Sequence, residues 1–243
     1  MDTRLTYLLT LLPPLPPLGK PPQLTLAQVL ALLRQQGGAD LELLAGLLET
    51  EAPLRRALDE WVVNPPGLRV APDDVPRALR AHFVDERVAS MTEAAWVGSV
   101  WEAYLGLLSD AGRRFGSDLL KRWSRWEESV RTNLAQRRAL LRGDRDELGP
   151  GILAETDPSV EAALAAWSEA RSRGAQAERL GAAMEAELAL DRARLAVLVE
   201  WSPRYSFALD ELVAYLLQLR LLERHQRLDG QRGRALLKAV AAL

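Results

Sequence analysis

The stretch from Arg204 to Gly233, RYSFALDELVAYLLQLRLLERHQRLDGQRG, constrains the fold most, because it holds the longest apolar stripe with a clear start and stop. Leu209, Leu212, Val213, Leu216, Leu219 and Leu222 recur at steps of three and four, the spacing of one helical face. Leu217 and Leu221 widen that stripe, which predicts a helix buried on two sides. Ser206 stands where it can cap the helix, and Asp210 with Glu211 places carboxylates at the positive end of its dipole. Asp229 and Gly230 form the stop. A helix of ~24 residues is ~36 Å long, enough to act as the axle of a core.

Charge and residue usage narrow the function classes. A formal charge of -2 gives no global attraction to nucleic acid or to anionic lipid. The arginines at 131, 137, 138, 142 and 145 do form a basic run, but Glu127, Glu128, Asp144, Asp146 and Glu147 flank it, so no nucleic-acid partner is expected. The absence of cysteine excludes disulfides, thiol catalysis and thiolate metal sites, and fits a cytoplasmic location. No apolar run reaches the ~18 residues of a membrane span, and the leucines at 5 to 12 run into Pro13 and Pro14 instead of a cleavage site. Membrane association is expected only indirectly, through a partner.

Six of the fourteen prolines precede Gln23, which predicts an extended arm over residues 1–23 with Tyr7, Leu9, Leu11 and Leu15 laid on the core. Thr25 and Gln28 form a capping box ahead of a helix that Gly37 and Gly38 end. Two short helices are expected from Asp40 to Glu49 and from Thr50 to Trp61. An irregular connection through Asn64, Pro65, Pro66 and Gly67 follows, the one place where a short strand, around Leu68 to Val70, fits the pattern. Further helices are predicted over 74–89, 92–111 and 117–142, with Gly112, Gly116 and Gly143 as punctuation. In the last, Trp123 and Trp126 lie one turn apart and are expected in the core, with Glu127 and Arg131 as an i,i+4 pair. Asp157 and Pro158 start a long helical region reaching Trp201, read as an antiparallel hairpin bent near Gly174, its Ala, Glu and Arg-rich middle solvated. The expected architecture is all-α, an elongated bundle of about seven to nine helices with an extended Pro-rich N-terminal arm. It is read as a single helical domain over 1–243, made of the arm (1–24), a first helical part (25–149) and a second (150–243).

No familiar catalytic set is present. The sequence contains no GxSxG, GxGxxG or GxxxxGK[ST], and Gly19 with Lys20 sits among prolines, not between a strand and a helix. His82 and His225 are the only imidazoles; His82 with Glu86 stands at helical ligand spacing, which is too little for a metal site. No catalytic residue, cofactor site or metal site is assigned. The excess of arginine after residue 219 suits carboxylates on a partner, and Arg220, Arg224, Arg227 and Arg232 are the residues expected to make those contacts.

The segments YLLTLLPPL with GKPPQLTLAQVL, FGSDLLKRWSRWEESVRTNLAQRRA, and FALDELVAYLLQLRLLERHQRLDGQRGRALL resemble an uncharacterised bacterial family encoded within V/A-type ATPase operons. The closing segment, with Tyr215, Glu223 and its arginines, is similar to the end of the C/d-type stalk component of those pumps, the helical socket between rotor shaft and membrane ring. Asn133, Leu134, Arg138 and Arg142 are similar to that socket's internal helix ends. The chain is shorter than a typical socket of this type. The resemblance implies a non-enzymatic component of the central stalk, with the shaft and ring subunits as partners, or else an assembly factor or helical adaptor for the same complex. It also implies a cytoplasmic position, peripheral to the membrane through the ATPase.

Overall fold

The computed structural model describes residues 3–36, 38–63, 75–84, 91–142, 157–174 and 179–227. Every regular element among them is a helix: α1 (Thr3–Leu11), α2 (Leu26–Gln36), α3 (Ala39–Val63), α4 (Arg77–Val84), α5 (Glu93–Phe115), α6 (Asp118–Arg142), α7 (Pro158–Gly174), α8 (Arg179–Trp201) and α9 (Leu209–Arg227). The all-α class is as the sequence predicts. The chain divides into two compact units where the sequence reading has one domain. A middle unit comprises Leu33–Gly151, and a terminal unit joins Met1–Leu32 to Ile152–Leu243.

The terminal unit is organised by α9. Its residues Leu212, Val213, Leu216, Leu217, Leu219, Leu221 and Leu222 are all buried, so the widened stripe does cover two sides of the helix. At ~1.5–3 kcal/mol of gross transfer energy for each buried side chain, these seven form the largest apolar contribution of any helix in the unit. The helix is described over 19 residues, and the expected stop at Asp229 and Gly230 lies outside the described residues.

Helices α7 and α8 pack side by side, forming the hairpin expected near Gly174. Asp157 caps α7, its Oδ1 accepting from the Ser159 N–H at 2.8 Å. The middle of the hairpin is not simply solvated: Ala163 and Ala170 on α7 and Ala182, Ala186 and Ala189 on α8 are buried. Their small side chains let the two backbones approach, so a composition that resembles a solvated face is instead the contact face.

The N-terminal arm differs from its expected extended form. Residues 3–11 are helical, because no proline precedes Pro13, and the fully buried Leu8 anchors them. Tyr7 and Leu11 remain largely exposed. The extended, proline-rich stretch begins after this helix and turns at Pro17 to Lys20, where the Lys20 N–H donates to the Pro17 carbonyl at 3.1 Å. Gly19 sits there at φ 90°, backbone that favours glycine. The Thr25 and Gln28 capping box forms as expected, with both reciprocal hydrogen bonds present.

In the middle unit, α3 is one continuous helix over 39–63, not two short ones, and it carries Pro53 inside it. Thr50, read as the start of a new helix, instead donates its hydroxyl to the Gly46 carbonyl at 2.8 Å, a bond made within a continuing helix. Of the stretch expected to be helical over 74–89, helix α4 is described over Arg77–Val84, while residues 85–89, and residues 64–74 with the candidate strand, lie outside the described residues.

The helix expected over 92–111 forms with Thr92 as its N-cap, but it runs past Gly112 to Phe115. Gly112 is therefore no stop. A Cβ there would meet the Lys121 backbone nitrogen at 3.0 Å and the Ser117 carbonyl oxygen at 3.1 Å, so it marks where the start of α6 crowds α5. The stop is Gly116 at φ 70°, whose N–H reaches the Arg113 carbonyl while the Ser117 N–H reaches that of Gly112, the Schellman arrangement. Ser117 then caps α6, accepting from the Leu120 N–H at 3.1 Å. Two residues thus turn one long helix into the next.

Trp123 and Trp126 are buried and stack at 5.4 Å, as their core assignment requires. The ring of Trp101 on α5 meets two guanidiniums, those of Arg131 at 3.8 Å and Arg55 at 5.1 Å from its centre. Each arginine is tied back to its own helix, Arg131 to Glu127 and Arg55 to Glu51, both at 2.9 Å. The Tyr104 hydroxyl adds a bond to the Leu47 carbonyl at 3.2 Å, joining α5 to α3.

Candidate interaction site

The four arginines expected to meet a partner do not share one environment. Arg232 lies outside the described residues. Arg227 is exposed at the last position of α9, and Arg220 is half-buried and engaged within the chain. Arg224 turns inward: Nη2 lies 2.9 Å from Glu187 Oε2, and Nη1 binds Asp191 Oδ1.

Asp191 is the centre of this cluster. It is wholly buried, and the same Oδ1 also faces Arg194 Nη1 at 3.2 Å, so one carboxylate stands between two guanidiniums. Glu187 supplies a second negative charge, which leaves the four groups formally balanced. Its own helix explains the placement. Glu187, Asp191 and Arg194 fall at helical spacing with Leu190, Val197 and Leu198, all three buried, so α8 carries charge on the stripe it turns inward. Buried charge persists only when paired, and here the pairing joins α8 to α9.

Two further bonds tie the chain's opposite ends together within this unit. Glu223 Oε1 accepts from the Leu26 N–H at 2.7 Å, adding a carboxylate to the N-terminus of α2. The Tyr215 hydroxyl donates to the Pro13 carbonyl at 3.0 Å, and burial pushes this phenol up to about 12. The arm is thereby held against α9.

His225 lies beside the cluster, its Nδ1 buried without a hydrogen-bond partner. Burial, reinforced by the Arg192 and Arg224 guanidiniums, holds this imidazole below its ordinary value of 6.5. The folded state therefore binds its proton less readily than the unfolded chain does. Stability should be unaffected by His225 above pH 6.5, fall as the pH drops through 6.5, and level off below the folded value. Thermal midpoints of wild type and His225→Gln, compared across that window, should show a flatter acid slope in the variant; parallel slopes would contradict the assignment.

The connection from α8 to α9 is held by a single carboxylate. Glu211 accepts from the Tyr205 N–H at 3.2 Å through Oε1, and through Oε2 from the Phe207 N–H at 2.8 Å and the Ser206 hydroxyl at 3.2 Å. Ser206 accepts from the Ala208 N–H at 3.2 Å, a bond within the turn ahead of the helix and not to the first N–H groups of α9, so it does not act as the expected cap, and Glu211 makes most of the bonds that hold the turn. Tyr205 and Phe207 both adopt left-handed backbone, at φ 57° and 50°. Tyr205 is left 86% exposed, beside an exposed Arg204.

A groove of about 590 Å³ runs along α7 and α8. Ala166, Ala170, Ala189 and Ala193 line it, and its rim carries two carboxylates and two guanidiniums, so it offers neither a convergent polar set nor one sign of charge. Among the described residues no group of three or more histidine or carboxylate side chains is placed to hold a metal ion, and no helix is long and apolar enough to cross a membrane. His82 is described, but Glu86, its candidate co-ligand, lies outside the described residues.

Sequence reasoning missed Glu187, Asp191 and Arg194, as well as Glu211's role as a lock. For the first three a signal exists: an acid and a base three residues apart, on the same helical stripe as Leu190, Val197 and Leu198. The Tyr205 conformation leaves no such signal, because neither tyrosine nor phenylalanine announces left-handed backbone. Compared with protein-family models, with curated proteins and with solved structures, the chain matches none.

Proposed function

We propose that the chain is a non-enzymatic helical component of a bacterial V/A-type ATPase, acting as a C/d-like element of the central stalk between rotor shaft and membrane ring. The reading rests on the resemblance of its opening, central and closing segments. One observation supports it most: the opening and closing segments are bonded to each other, Tyr215 to Pro13 and Glu223 to Leu26. A stalk element transmits torque, and helices tied across the chain's two ends resist being sheared apart. The Asp191 cluster adds a second tie, from α8 to α9. Such an element is cytoplasmic and meets the membrane only through the complex.

Isolation of the rotary complex from cells making the tagged chain tests the proposal. A stalk subunit remains at fixed stoichiometry through salt washing. Release from the mature complex identifies an assembly factor instead, and absence from every stage of assembly overturns the reading.

A further inference from the structure

We infer that the groove along α7 and α8 is closed by a second copy of this chain, the two α8 helices crossing antiparallel about a two-fold axis midway between Glu185 and Arg192. The inference concerns the free chain and does not depend on the stalk reading.

Charge placement carries it. The groove holds about 590 Å³ over a floor of alanines, and four charged side chains stand at its rim. Two of them satisfy each other: on α7, Arg173 Nη2 lies 3.5 Å from Glu169 Oε1, an exposed pair one turn apart. The other two, Glu185 and Arg192 on α8, are exposed, and among the described residues neither forms an ion pair or a hydrogen bond. Their spacing of seven residues is two turns, ~10.5 Å along one helical face.

That spacing decides the occupant. A ligand of one charge sign would be repelled at one end of the groove, and an uncharged helix would cover an acid and a base without pairing either. The same surface turned end for end presents base where this copy has acid. About a two-fold axis, Glu185 of each copy meets Arg192 of the other, so a single kind of pair is made twice. Between the two pairs, Ala189 lies buried at the floor and puts no bulk in the way of a second helix. The contact is thus lined by alanine and closed by an ion pair at each end.

Sedimentation of the full chain at micromolar concentration, with thermal unfolding of each variant, tests the dimer. Wild type should run as two copies. Glu185→Arg and Arg192→Glu each set like charges together twice, so each should weaken self-association by about tenfold or more. Both positions are exposed, so thermal midpoints should stay close to that of wild type. An equal mixture of the two variants should form a heterodimer, because each supplies the charge the other lacks. The doubly reversed chain, Glu185→Arg with Arg192→Glu, should dimerise as wild type does. A wild type that stays monomeric overturns the inference, and so do single variants that dimerise undiminished, since the contact would then lie on another face. Weakened single variants that neither mixing nor double reversal rescues overturn the pairing of Glu185 with Arg192. The stalk reading stands or falls separately, on isolation of the rotary complex.

Discussion

Asp191→Ala is expected to lower the unfolding free energy by about 3–5 kcal/mol, the range for removing one partner of a buried ion pair. The loss comes from what remains. Arg194 and Arg224 would stay in place with side-chain exposures of only 6% and 16%, without the carboxylate that binds them both. Chemical denaturation of the two proteins measures the difference. A combined Asp191→Leu, Arg194→Met and Arg224→Met variant should recover most of the lost stability, because replacing the whole charged set removes its desolvation cost along with its attraction. A loss below about 1 kcal/mol for Asp191→Ala would mean that water reaches the cluster and that it does not join the two helices as described.

The same geometry governs how the arginines of α9 can be tested. Reversing Arg224 to glutamate would bring a third carboxylate against Asp191 and Glu187, so weakened docking would report a damaged core. Arg227, exposed at the end of the helix, is the cleaner probe of a partner.

A second large effect is expected in the middle unit, where two buried tryptophans should respond differently to the same changes. Trp96 and Trp123 are both at most 1% exposed, and truncating either to alanine should cost about 3–5 kcal/mol through lost transfer energy and the cavity left behind. Replacement by phenylalanine separates them. The Trp96 indole N–H donates to the His82 carbonyl at 2.8 Å, while its ring meets Phe83 edge to face at 5.5 Å. Trp96→Phe should therefore lose a bond and leave a carbonyl without that partner, adding about 1–3 kcal/mol to the cost of lost volume. The Trp123 indole N–H is buried with no hydrogen-bond partner, so Trp123→Phe sacrifices only volume and stacking. Urea unfolding of the four variants should thus give similar losses for the two alanines and a clearly larger loss for Trp96→Phe than for Trp123→Phe. Equal phenylalanine costs would remove the hydrogen bond from the account.

Local signals were legible wherever the physics was local. Thr25 with Gln28, Thr92, Ser117 and Asp157 each satisfy backbone groups within a few residues of themselves, so their roles could be read without knowing what packs nearby. Glu127 with Arg131 formed as an i,i+4 pair for the same reason. Gly112 illustrates the opposite case: glycine reads as a stop, yet here it answers a steric demand set by a separate helix. Thr50 reads as a helix start, but α3 runs continuously through it.

The candidate site was less legible. Arginine content near the C-terminus pointed toward α9, but content cannot tell an arginine that faces water from one that faces Asp191. Arg224 and Arg227 sit three residues apart on the same helix, and only the position of α8 separates their environments.

The sequence by itself determined the class of the fold, the stripe of α9 and most helix starts, because periodicity and capping depend on neighbours within one or two turns. Only the tertiary structure decided that the first thirty-two residues belong with the last ninety-two, that Asp191 is a buried partner of Arg224, and that Tyr205 is turned out to solvent. Those outcomes depend on groups far apart along the chain or on a strained backbone, and neither leaves a repeating mark in the order of residues.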